Sequence, residues 1–203
     1  MKSVENLQAV LHLSPDFVGF IFYDKSPRFM GKSLHADDVK KLVAPTKKVG
    51  VFVNASVETI LTHARAYDLD VIQLHGHEPV AHCRELKKKG LEVIKVFHIG
   101  NEIDWKSLED YVSVVDYFLF DTKSKKFGGT GKQFDWQLLN NYPFDIPYFL
   151  SGGINLKNLE ALEGLGKNKP FALDVNSQFE IEPGLKDLEK LKLLKAQLLL
   201  FVS

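Results

Sequence analysis

Seven short apolar runs, rich in β-branched and aromatic residues, recur at intervals of roughly 20–30 residues along the chain. They are Phe17–Tyr23, Val49–Val53, Val71–Leu74, Val93–Phe97, Tyr117–Phe120, Tyr148–Leu150 and Phe171–Val175. Each is near-continuously apolar rather than alternating, the pattern of a parallel strand buried on both faces. Amphipathic, Lys/Glu-rich stretches separate them and predict helices over Ser3–Leu13, Ala36–Val43, Val57–Tyr67, Pro79–Lys89, Trp105–Val114, Phe134–Asn141, Leu156–Leu165 and Leu185–Phe201. Several follow a capping residue: Ser56, Asp104 and Asn155.

Repeating βα units without a linker or low-complexity break imply an α/β fold and one domain over residues 1–203. Two architectures suit that rhythm. An open doubly wound sheet would have fewer strands at this length and a nucleotide loop after its first strand. Neither G-x-G-x-x-G nor G-x-x-x-x-G-K-[ST] occurs. The pattern therefore predicts a (β/α)8 barrel whose first strand is unaccounted for, since the chain opens on a helix.

Composition narrows the partners. Lys+Arg and Asp+Glu balance at 26 each, without the basic surplus a nucleic-acid binder uses against phosphates. A lone cysteine, Cys83, rules out an intrachain disulfide and a cysteine-based zinc site. No apolar run nears the ~20 residues that span a bilayer, and Met1–Asn6 lacks a signal-peptide core. A cytoplasmic protein with a small-molecule ligand, binding neither membrane nor nucleic acid, is expected.

Barrel chemistry gathers at the C-terminal strand ends. There the sequence places Arg28 beyond the first run, Asn54 beyond the second, Gln73, His75 and Gly76 around the third, and His98 beyond the fourth. Asp121 follows the fifth, Ser151-Gly152-Gly153 the sixth, and Asp174, Asn176 and Ser177 stand at the seventh. Asp121 beside an apolar strand fits a general acid, or else a turn cap. Arg28 offers a fork to a planar carboxylate, or is solvated. Gly152 and Gly153 bring bare N–H groups toward a helix start, as a phosphate site needs, although a tight turn alone has the same look. Asn176 and Ser177 on the neighbouring loop favour the phosphate. Gly128-Gly129-Thr130-Gly131, preceded by Lys123, Lys125 and Lys126, is either a closing lid or a surface excursion. The histidines lack metal-ligand spacing, so no metal is expected. Cys83 falls within a helix and suits packing.

The segments Phe20–Arg28, Val49–Asn54, Ile72–Gly76, Asp121-Thr122 with Gly128–Trp136, and Ser151–Asn155 resemble the phosphoribosylanthranilate isomerase family of tryptophan biosynthesis, in order and over nearly the whole chain. The resemblance implies a (β/α)8 barrel and a cofactor-free Amadori rearrangement. N-(5'-phosphoribosyl)anthranilate becomes 1-(2-carboxyphenylamino)-1-deoxyribulose 5-phosphate. An aspartate protonates the furanose oxygen, the ring opens to a Schiff base, and a cysteine takes the C2' proton. The acid carries over to Asp121; substrate contacts to Arg28, which would clamp the anthranilate carboxylate, and to Gln73, His75, Gly129 and Asp174; phosphate contacts to Gly152, Gly153, Asn176 and Ser177. A monomer or weak homodimer is expected.

Two departures stand out. Where the family has Ser-Ser-Gly after the last strand, this chain has Asn176-Ser177-Gln178. The family's opening strand bears Lys-x-Cys-Gly with the base cysteine, whereas this sequence starts just beyond that point. The chain as written is therefore expected to be unstable or association-prone, and at best feebly active. Indole-glycerol-phosphate synthase is a weaker alternative, because its catalytic lysines and glutamates find only Lys95 here. A non-catalytic phosphosugar-binding barrel is the other alternative.

Overall fold

The structure, a computed structural model, describes residues 1–31, 33–41, 45–123 and 133–202, with 200–202 described by backbone alone. Its centre is a parallel sheet of β1 (Phe17–Ile21), β2 (Lys47–Phe52), β3 (Val71–Leu74), β4 (Glu92–Ile99), β5 (Tyr117–Thr122), β6 (Tyr148–Leu150) and β7 (Ala172–Leu173), hydrogen-bonded in that order. Helices α1 (Val4–Leu11), α2 (Ala36–Lys40), α3 (Val57–Tyr67), α4 (Val80–Lys88), α5 (Glu109–Val112) and α6 (Leu188–Val202) complete the chain.

Both faces of the sheet are apolar, as the unbroken runs require. Val49, Val71, Ile94, Val96, Leu119 and Phe149 point inward into one cluster. Their strand neighbours Phe20, Phe52, Ile72, Leu74, Phe118 and Phe120 point outward into a larger one, shared with Leu7, Ile60, Cys83 and Leu86 of the helices. The sheet curls. The Phe17 ring on β1 lies 5.0 Å from Phe149 and 6.4 Å from Phe171, which adjoins β7. Among the described residues no strand stands between β1 and β7, so this is a barrel with seven of eight staves in place.

Local chemistry sets the helix boundaries. The hydroxyls of Ser3 and Ser56 accept the amides of Asn6 and Thr59 and start α1 and α3. Asp68, at φ +53°, ends α3 in the left-handed region. Elsewhere the expected helices shrink. Trp105–Val114 divides into a 3₁₀ turn, Trp105–Leu108, and the single turn α5. Phe134–Asn141 and Leu156–Leu165 are 3₁₀ segments, Trp136–Asn141 and Leu159–Leu165. Such short pieces cannot repay helix nucleation alone and settle into the geometry their apolar contacts allow. α2 stops at Lys40, and residues 42–44 lie outside the described part.

The last expected helix begins late, because Leu185 and Lys186 belong to a hairpin. β8 (Glu180–Glu182) and β9 (Leu185–Lys186) pair antiparallel across Pro183-Gly184, with Gly184 at φ +90°. Proline then glycine is the sequence of a type II turn. The hairpin is tied to the start of the chain. Asn6 donates through Nδ2 to the Lys186 carbonyl at 3.0 Å and accepts the Lys186 amide at 2.8 Å.

Candidate active site

A cavity of about 690 Å³, within the range of small-ligand sites, runs between β1 and β7 from Pro15, Asp16 and Pro170 at the N-terminal strand ends to the C-terminal ends. Gln73, His75, Asp121, Ser151, Gly152, Gly153, Asp174, Asn176 and Ser177 all line it, as do Arg28, Glu180 and Lys186. Asn54, Gly76 and His98, the other strand-end candidates, stand outside its lining. Gly129 and the rest of Gly128–Gly131, with Lys125 and Lys126, lie outside the described residues.

Asp121 is held by its neighbours. Its Oδ1 accepts the Thr122 amide at 2.8 Å, while Oδ2 stands 3.5 Å from His75 Nε2. The Gln73 amide nitrogen is 3.1 Å from His75 Nδ1. With Gln73 donating, Nδ1 is the acceptor, and the ring's N–H faces Asp121. His98, the register partner of Asp121 across β4 and β5, places Nε2 3.2 Å from the His75 carbonyl oxygen. Burial, with His75 close by, pushes the His98 imidazole below its ordinary value, so it favours the neutral form.

Gly152 presses on the same carboxylate. At φ +89° it occupies backbone space that side-chain-bearing residues avoid, and a Cβ there would lie 2.8 Å from Asp121 Oδ1 and 2.7 Å from the Thr122 amide nitrogen. Gly153 follows at φ +75°. Its carbonyl accepts Nδ2 of both Asn155 and Asn158 at 3.0 Å, which fixes the loop. The α-helix expected directly behind this loop is absent, so anion binding here would rest on loop amides rather than on a full helix terminus.

Asp174 keeps some surface open to the cavity, yet enough protein surrounds it that burial raises its carboxyl above the usual range, against the pull of Lys186. Lys186 Nζ donates to the Val175 carbonyl at 2.8 Å and to Asn176 Oδ1 at 3.0 Å, steadying the last loop. Arg28 is buried with its fork already engaged. Nε lies 2.8 Å from Glu180 Oε2 and Nη2 2.7 Å from the same oxygen. A substrate carboxylate would thus meet an Arg28 anchored by Glu180, not a solvated one. Burial alone would raise the Glu180 pKa, but Arg28, Lys186 and the Gly184 amide outweigh it and hold it low.

A second buried pair underlies the histidines. Glu78 accepts the amides of Asn54 at 2.8 Å and Gly76 at 3.0 Å, and Lys95 Nζ at 3.0 Å. Lys95 also donates to the carbonyls of Gly76 and Leu74. One ion pair therefore binds the ends of β2, β3 and β4 beneath His75. Cys83 lies buried on α4 among these groups, its thiol pushed up by burial to about 11. It cannot supply a thiolate to the cavity.

Sequence reasoning had assigned no site role to Glu78, Lys95, Glu180 or Lys186. Glu180 and Lys186 could have been found from Pro183-Gly184, which folds both back toward the barrel mouth. Glu78 and Lys95 gave no local signal, because their pairing depends on strand adjacency.

The model of the family described as N-(5'phosphoribosyl)anthranilate (PRA) isomerase matches residues 1–197. A curated N-(5'-phosphoribosyl)anthranilate isomerase from Parabacteroides distasonis is 43% identical over 195 residues, covering 95% of this chain and 87% of that protein. The crystal structure of phosphoribosyl anthranilate isomerase from Thermus thermophilus superposes with a TM-score of 0.84 at 28% identity, over 99% of this chain and 96% of that one. A further isomerase structure, in complex with reduced 1-(o-carboxyphenylamino)-1-deoxyribulose 5-phosphate, gives 0.79 at 32% identity, over 96% and 93%.

Proposed function

Because the chain belongs to the N-(5'-phosphoribosyl)anthranilate isomerase family, we propose that its cavity binds N-(5'-phosphoribosyl)anthranilate and that Asp121 is the general acid of the Amadori rearrangement in tryptophan biosynthesis. The observation that carries this is the carboxylate of Asp121 opening on one cavity with two small-residue loops, Gly152-Gly153 and Asn176-Ser177.

Asp121 gives a proton to the furanose ring oxygen, and the ring opens as the anthranilate nitrogen forms the Schiff base. Loss of the C2' proton then yields the enolamine, which tautomerises to the ketose. The substrate's own nitrogen accepts the electron pair, so this route calls for no cofactor. The His75 N–H, 3.5 Å from Asp121, steadies the carboxylate left after proton transfer. Amides of the two loops hold the phosphate. Arg28, anchored by Glu180, and Asp174 face the anthranilate end, with Gln73 orienting His75. Gly129 is assigned a substrate contact on the resemblance alone. The proton acceptor implied by the resemblance is a strand cysteine, a role that Cys83 is too buried to fill. Among the described residues no helix is long and apolar enough to cross a membrane, and we place the enzyme in the cytoplasm.

The test is turnover of N-(5'-phosphoribosyl)anthranilate by this chain and by a form extended upstream with a strand carrying Lys-x-Cys-Gly. In the active form, Asp121→Asn should lower kcat by ~10²–10⁴-fold, the usual worth of a general acid. A variant retaining most of its kcat would refute the assignment. Binding of substrate without turnover by either form would favour the non-catalytic phosphosugar-binding barrel.

A further inference from the structure

We propose that His75, His98 and Asp121 form a binding site for a zinc-type transition-metal dication, and that the metal excludes the phosphosugar when it is seated. The three side chains come from the ends of three consecutive strands, β3, β4 and β5, and His98 and Asp121 are direct register partners. One ligand atom from each lies within 4.8 Å of the others. Tetrahedral zinc, with bonds of ~2.0–2.1 Å, holds its ligands ~3.3 Å apart, so closing the set takes shifts of about 1.5 Å. All three are partly buried; His75 and Asp121 line the cavity, and the His98 ring stands 5.1 Å from that of His75.

The donor chemistry selects the metal. Two imidazoles and one carboxylate suit zinc, cobalt or nickel, whereas magnesium and calcium prefer an all-oxygen set. Orienting partners are already present. The Gln73 side chain sits on His75 Nδ1, and the Thr122 amide on Asp121 Oδ1. Metal sites use such outer contacts to fix their ligands. Three protein ligands leave a fourth position facing the cavity. A metal there would occupy Asp121, which could then no longer carry a proton. Metal binding stands independently of the proposed reaction, and only the exclusion of phosphosugar rests on it.

The experiment titrates the metal-free protein with Co²⁺, read by visible absorption, and with Zn²⁺, read by calorimetry. One equivalent should bind with the absorption of a low-coordinate site. His98→Asn and the isosteric Asp121→Asn should each weaken binding by at least ~10–100-fold, the loss seen when even an outer partner is removed. His12→Asn, a change at the exposed histidine that caps the C-terminus of α1, should leave binding unchanged. Thermal melts of each variant verify that the fold persists, and the two site variants act at different strands, so one suffices if the other unfolds. Failure to bind at about 1 mM Zn²⁺, or binding indifferent to both site variants, overturns the site. Zn²⁺ should also raise the apparent Kd of reduced 1-(o-carboxyphenylamino)-1-deoxyribulose 5-phosphate in the wild type but not in His98→Asn. Simultaneous binding of metal and analogue would overturn the exclusion while leaving the metal site standing.

Discussion

Lys95→Met tests how much the buried Glu78–Lys95 pair stabilises the barrel mouth. Both side chains are nearly sealed, at 4% and 1% exposure, so the pair is not one that solvent screens. Removing the cation leaves the Glu78 carboxylate buried, and breaking such a pair costs ~3–5 kcal/mol. The lower end applies, because Glu78 keeps the amides of Asn54 and Gly76 as donors. For a chain of this size, ~3 kcal/mol lowers Tm by about 6–12 °C. Urea denaturation should show a lower midpoint at an unchanged slope. Glu78→Gln combined with Lys95→Met removes both charges, so the double variant should be less destabilised than the two single losses added, by ~1–3 kcal/mol of coupling. A single variant within ~1 kcal/mol of wild type, or strictly additive losses, would refute the reasoning.

Two further outcomes follow from the site. Gly152→Ala should both lower kcat and raise KM for the phosphosugar, because its Cβ would push on Asp121 and Thr122 and, at φ +89°, would strain the loop proposed to hold the phosphate; an unchanged kcat would disprove the contact with Asp121. Glu180→Gln should flatten the acid limb of stability. A carboxylate held below its unfolded value of 4.5 contributes stability that is full above that pH and is lost as pH falls through the folded value. Urea midpoints measured between about pH 3 and 6 should therefore fall more steeply for wild type than for the variant, and parallel curves would exclude Glu180 from acid unfolding.

The seven strands were legible because a strand covered on both faces must be apolar throughout, and Val71–Leu74 or Tyr148–Leu150 leave few other options. The strand-end rule also selects Asp121, His75 and Gly152, which line the cavity, along with Asn54, Gly76 and His98, which do not. Weaker elements were misread for a common reason. Leu156–Leu165 carries helical spacing, yet neighbouring layers, not propensity, decide whether so short a segment is α or 3₁₀. Leu185 and Lys186 looked like the first turn of α6, since an apolar–basic pair fits a helix as well as a strand. The Glu78–Lys95 pair gives no local signal, its partners 17 residues apart and joined only by strand adjacency, whereas the 152-residue span from Arg28 to Glu180 is hinted at only by the Pro183-Gly184 turn.

The clasp between Asn6 and Lys186 bears on the order of assembly. It joins positions 180 residues apart, and Lys195 adds a bond to the Leu13 carbonyl. Lys186 is also the residue that steadies the Asn176 loop. A ribosome delivers the segments from the N-terminal side, and contacts of such long separation are slow to close. The early strands can therefore pair while the chain is still growing, but the rim proposed to hold the phosphate must wait for the final hairpin. A nascent chain halted before Glu180 would carry Asp121, His75 and both glycines without the clasp that seats the last loop beside them. Competence to bind ligand should accordingly arise late and abruptly during synthesis, not in proportion to the length already made.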